Sequence, residues 1–128
     1  MKTIKVVVDG GKYKWVELPR EEALKLLEII EGKLGKSPRD LQETMRYLRH
    51  FEEFYRDMQK RFKDFIAPPH SLDDMIRGIV VVDKIALKKE GNEEIATIVF
   101  DRRISVDLLK EALKELGYEV EVEVEKPW

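Results

Sequence analysis

A chain of 128 residues with 43% hydrophobic residues is long enough to bury one core and too short to require a second domain. Charged side chains make up 39% of it yet sum to a net charge of −2, which suits interleaved ion pairs better than a disordered polyelectrolyte, and the absence of cysteine excludes disulfides and thiol chemistry. The longest unbroken apolar run is Ile79 to Val82, far short of a bilayer span, and the amino terminus enters a strand-like segment directly, so a cytoplasmic protein away from membranes is expected. Lys and Glu dominate the charge, a thermophile-like composition that idealised designs share.

Ile4, Val6 and Val8 alternate along a first strand, Asp9-Gly10-Gly11 makes a turn, and Tyr13, Trp15 and Val16 lie on a second strand, so residues 1 to 18 read as a hairpin. Pro19, Glu21 and Glu22 open a helix whose Ala23, Leu27, Ile30 and Leu34 recur at helical spacing until Gly35 stops it. Ser37, Pro38 and Asp40 resemble a capping box that starts one long helix over residues 38 to 65, ended by Ala67-Pro68-Pro69. Ser71 with Asp74 caps a short turn closed by Gly78. Residues 79 to 87 and 95 to 100 then flank Gly91-Asn92 as a second hairpin. Ser105 caps a helix carrying Leu108, Leu109, Ala112, Leu113 and Leu116 up to Gly117, and a last strand alternates Tyr118, Val120, Val122, Val124 with Glu119, Glu121, Glu123, Glu125.

This order predicts a single α+β domain over residues 1 to 128: a β-hairpin, a helical hairpin over 19 to 66, then hairpin, helix and strand. Without the first strand the order is βαββαβ. The expected fold is a ferredoxin-like variant, a mostly antiparallel sheet of about five strands with an extra amino-terminal strand and a long inserted helical hairpin. That ordering places the last strand beside residues 13 to 18, with Glu119, Glu121 and Glu123 facing Lys12 and Lys14. It also creates a conflict, because residues 13 to 18 would then need three neighbours.

From Asp101 onward, Ile104-Ser105-Val106-Asp107-Leu108-Leu109 and Glu115-Leu116-Gly117-Tyr118-Glu119-Val120 resemble the final helix and strand of heavy-metal-associated ferredoxin-like domains. The match covers about a fifth of the chain. Those domains hold metal in a paired-cysteine loop, so in a chain without cysteine the resemblance implies the fold without the activity, and no family membership. No metal or other cofactor is expected.

The long helix holds six of the eleven aromatics: Tyr47, Phe51, Phe54, Tyr55, Phe62 and Phe65. Leu41, Leu48, Tyr55 and Phe62 are spaced by seven, as are Phe51, Met58 and Phe65, a heptad seam that needs a partner. Cover from within the chain is one reading. The other is that the preceding helix is too short to cover it, leaving Tyr47, Phe51, Phe54, Tyr55, Met58 and Phe62 as an interaction surface for a second copy or another protein. The opposite face carries Arg49 with Glu53, Glu52 with Arg56, Asp57 with Arg61 and Lys60 with Asp64 as (i, i+4) pairs, a solvated charged face. A nucleic-acid reading of Arg39, Arg46, Arg49, Arg56, Lys60, Arg61 and Lys63 is the weaker one, because carboxylates almost balance them.

Only His50 and His70 offer acid/base or metal chemistry, and neither has enough neighbours of the right type in sequence. No phosphate loop, dinucleotide fingerprint or nucleophile elbow occurs. The favoured function is a non-enzymatic interaction or assembly module, homodimeric or bound to a protein partner through its helical arm and sheet. An alternative is a small-molecule-binding or enzymatic domain with a pocket between the long helix and the sheet, using Trp15, Arg49, His50 and Glu53. An engineered sequence is a third reading, against which stand irregularities such as Met45, His50, Met58, Pro68-Pro69-His70 and Trp128.

Overall fold

A computed structural model describes residues 2–125, so Trp128 lies outside the described part. Asp9 makes the first reversal: its Oδ1 accepts from the backbone N–H groups of Gly11 (2.9 Å) and Tyr13 (3.0 Å), while Lys12 adopts a left-handed φ of 68°. Strands β1 (Lys2–Val8) and β2 (Lys14–Pro19) therefore pair antiparallel, Val7 opposite Trp15. Helix α1 (Arg20–Leu34) follows without a loop and buries Ala23, Leu26, Leu27 and Ile30, one stripe at 3.6-residue spacing, before Gly35 ends it at a φ of 64°. Helices α2 (Arg39–Arg49), α3 (Phe51–Lys60) and α4 (Leu72–Arg77) lead to the hairpin of β3 (Val82–Glu90) and β4 (Glu93–Phe100), then α5 (Val106–Glu115) and β5 (Tyr118–Val124). The expected caps at Ser71 and Ser105 form, each Oγ accepting from the N–H three residues on.

The fold is α+β, a five-stranded mixed sheet with five helices, and the sheet order is β3-β4-β2-β1-β5. All neighbours are antiparallel except β1 and β5, which run parallel. The expectation that the last strand lies beside residues 13 to 18 is corrected: β1 takes that place, held by the tight turn, and β5 moves one strand outward. The three-neighbour conflict disappears with that shift. Glu123 consequently meets Lys5 (3.6 Å), not Lys12 or Lys14, and the buried Lys14 donates instead to the carbonyl of Arg102 (2.9 Å), burial drawing its pKa down.

One face of the sheet carries the core. Val6, Val16, Leu18, Ile85, Ile98 and Phe100 point into it and meet Leu26, Leu27 and Ile30 of α1, Leu41 and Leu48 of α2, Phe51 of α3, and Leu109 and Leu113 of α5. Each fully buried side chain of this size contributes roughly 1.5–3 kcal/mol.

The single helix expected over residues 38 to 65 is two helices. His50, with φ −113° and ψ 45°, separates them, although neither proline nor glycine is near. The cause comes from outside the segment: the guanidinium of Arg20, itself held by Glu94 (3.1 Å), donates to the carbonyl of Leu48 (3.1 Å) and inserts into the helical ladder. The second helix also ends early, at Lys60. Phe62 turns left-handed (φ 52°), and Ile66 then forms a two-bond bridge with Ile85, its N–H donating at 2.8 Å and its carbonyl accepting at 2.9 Å. Phe51 is 1% exposed and Phe62 is 95% exposed, so one seam residue is core and the other is solvated. Phe51→Ala should cost about 3–5 kcal/mol in urea unfolding, and Phe62→Ser should stay within about 0.5 kcal/mol of the parent.

Candidate interaction surface

Most of the aromatic stripe has its partners inside the chain. Tyr47, Phe51 and Met58 are buried. Phe54 is half-buried, its ring 4.6 Å from that of Tyr47, with the Arg46 guanidinium 5.0 Å above it. Tyr55 stacks on Phe51 at 5.8 Å beneath the Lys89 ammonium, 5.0 Å from its ring. Contacts with α1 cover α2, and contacts with β3 cover α3, which is why a first helix of four turns suffices. Of the expected surface only Phe62 is fully open to solvent. Two of the four pairs expected on the charged face form, Arg56 on Glu52 and Arg61 on Asp57, each at 3.1 Å, while among the described residues Arg49 does not pair with Glu53 nor Lys60 with Asp64. Glu52 also pairs with Lys89 across to the sheet, which holds its carboxyl below the ordinary range.

Trp15, Arg49, His50 and Glu53 do not converge. The last three border an open surface dip together with Arg20 and Glu94, whereas Trp15 lies on the sheet face turned away from the helices. Among the described residues no three His, Cys, Asp or Glu side chains gather closely enough to hold a metal ion, and no helix is long and apolar enough to cross a membrane.

A buried polar knot escapes sequence reasoning. Asp40, read as part of a capping box, is 1% exposed and turned into the protein. One oxygen accepts from the N–H of Leu41 (2.8 Å) and the other from the N–H groups of Val81 and Val82 (both 2.7 Å), so a single carboxylate fastens the start of α2 to the start of β3. His70 stands beside it, Nε2 3.6 Å from Asp40 and 3.1 Å from the Val82 carbonyl. The α2 amino end is capped from another element, Asp74 accepting from the N–H of Arg39 at 2.9 Å. Burial pushes the Asp40 carboxyl above the ordinary carboxylate range, and the three N–H donors and His70 oppose this without cancelling it.

The sheet face without helices has a regular pattern across its five strands. Register places Lys84, Val99, Trp15, Val7 and Glu123 in one row. A second row contains Ala86, Thr97 and Glu17, with Lys5 and Glu121 beyond them, and a third contains Lys88, Ile95 and Pro19, with Thr3 and Glu119 beyond. β3 is thus the basic margin of this face, β5 the acidic one, and β2 with its half-buried Trp15 the centre line. Some of this charge is already engaged, Lys88 on Glu17 (2.6 Å) and Glu90 (3.0 Å), and Lys84 over the Phe65 ring at 4.4 Å.

Compared with known proteins, the chain matches no protein-family model, no curated protein and no solved structure.

Because the folded-state pKa of Asp40 is raised, its contribution to stability is full below the unfolded value of about 4 and is lost as pH rises through the folded value. Asp40→Ala removes the acceptor of all three N–H groups in either protonation state and should cost about 1–3 kcal/mol. The stability gap between parent and variant, from urea titrations at several pH values, should therefore narrow from pH 4 upward; a gap that widens would reverse the assigned shift.

Proposed function

We propose that this protein is a non-enzymatic assembly module that pairs with a second copy through the open face of its sheet. The observation that carries the reading is the charge order across the sheet, Lys84 and Lys88 at β3 on either side of Ala86 and Glu119, Glu121 and Glu123 at β5, about a central Trp15. A two-fold axis parallel to the strands, lying over β2, exchanges left and right while keeping each row at its own level. It sets Lys84 opposite the second copy's Glu123 and Lys88 opposite its Glu119, with the two Trp15 rings meeting on the axis. Sheet twist turns the two faces about 30° from perfect alignment, which the long Lys and Glu side chains span. The same sheet we read as a ferredoxin-like frame with β1 inserted between its first and last core strands.

Magnitudes set the strength of the contact. Five strands about 4.8 Å apart and three rows about 7 Å apart give a patch of roughly 400 Å² per copy, in the size range of weak and transient interfaces. A weak association whose dissociation constant rises with salt is expected from the charged margins.

A second observation favours a different surface. Leu72, Met75 and Ile76 lie on one side of α4 and are all exposed, so α4 is the competing site for a protein partner. Sedimentation equilibrium separates the two. Trp15→Glu and Lys84→Glu should each abolish the dimer, and Lys84→Glu combined with Glu123→Lys should restore it, because the exchanged charges face each other again. A chain that stays monomeric at the highest attainable concentration would remove the reading, as would a dimer lost with Ile76→Ser but not with Trp15→Glu.

A further inference from the structure

We infer that the cleft where α1 ends and α2 begins, roofed by the loops before β3 and after β4, binds a small organic monocarboxylate with an apolar body. The cleft encloses about 180 Å³. Leu34, Pro38, Ile79, Val80, Val81 and Ile104 give it an apolar wall, and Lys36 and Arg103 also line it. The wall selects for a compact apolar group such as a single ring or a short branched chain, and the two cations select for negative charge.

Two features make these cations available. Neither Lys36 nor Arg103 enters an ion pair among the described residues. Asp40, Asp74 and Asp101 take backbone N–H groups and form no ion pair with either cation: Asp40 accepts from Leu41, Val81 and Val82, Asp74 from Arg39, and Asp101 from Arg103's own amide at 2.9 Å. A phosphate or a polyanion does not suit the site, because an ion without an apolar body leaves the wall of Leu34, Val80 and Ile104 unfilled. A neutral hydrophobe of the same shape fills the wall and forgoes charge-assisted hydrogen bonds to the guanidinium and ammonium.

The probe for the test is benzoate, titrated into the full chain and followed by amide chemical shifts. Saturating shifts at Gly78, Val80 and Ile104 are expected with a dissociation constant on the order of 1 mM, a strength suited to so small a ligand. Benzyl alcohol, acetate and inorganic phosphate should each bind about tenfold more weakly or worse, the first for want of charge and the others for want of an apolar body. Lys36→Gln with Arg103→Gln changes two exposed side chains and should weaken benzoate about tenfold while leaving benzyl alcohol unchanged. Equal binding of benzoate and benzyl alcohol would overturn the inference, as would phosphate binding as tightly as benzoate, benzoate affinity unmoved in the double variant, or no saturating shift at all. The cleft lies away from the open sheet face, so its result and that of the dimer test are independent.

Discussion

The turn at Asp9 governs the arrangement of the sheet. By receiving two backbone N–H groups on one carboxylate oxygen, Asp9 holds β1 directly against β2, and no other strand can then take that edge. The last strand, arriving from α5, finds β1 as its neighbour and runs parallel to it. β2 thereby becomes the middle strand of five, with a lysine-bearing strand at one margin and a glutamate-bearing strand at the other. A two-residue shift in that turn would move the register of the hairpin and with it the alignment of every row across the sheet.

All five helices leave the second face bare, and the sequence shows why once the inner positions are known. Along β1, β2 and β4 the inner positions are apolar almost throughout, while the outer positions alternate Thr, Lys, Glu and Trp with a few aliphatic residues. A face of that composition can remain in water without a covering layer. Val7, Val99 and Ile95 are its buried exceptions, two of them in the same row as Trp15.

Much of the fold was legible from local chemistry. Both hairpin turns, the glycine stops at Gly35, Gly78 and Gly117, and the serine caps at Ser71 and Ser105 follow from residues that act within a few positions of themselves. What was not legible came from partners far along the chain. The break at His50 is imposed by Arg20, which lies thirty residues earlier, and the early end of α3 accompanies pairing of Ile66 with a strand not yet made at that point of the chain. The heptad seam announced that the helix must be covered but not by what, so Tyr47, Phe51 and Met58 proved internal. Asp40 was the most misleading residue, since an aspartate near a helix start has a ready local explanation and its true donors, Val81 and Val82, are about forty residues away. For the open face, the alternating glutamates were visible, but their position opposite the lysines of β3 depends on the strand order.

The two margins of the sheet are closed to further strands by different means. On β3, Ile66 satisfies the backbone of Ile85 and occupies part of the free edge. On β5, a copy of the same strand added alongside would bring Glu119, Glu121 and Glu123 against their own counterparts, at a separation where like charges repel. Fibril growth by edge addition, the common hazard of a sheet with a bare face, is therefore disfavoured at both ends. The proposed contact through the face, by contrast, would consume the surface that makes it, so growth by that route would stop at a particle of fixed size.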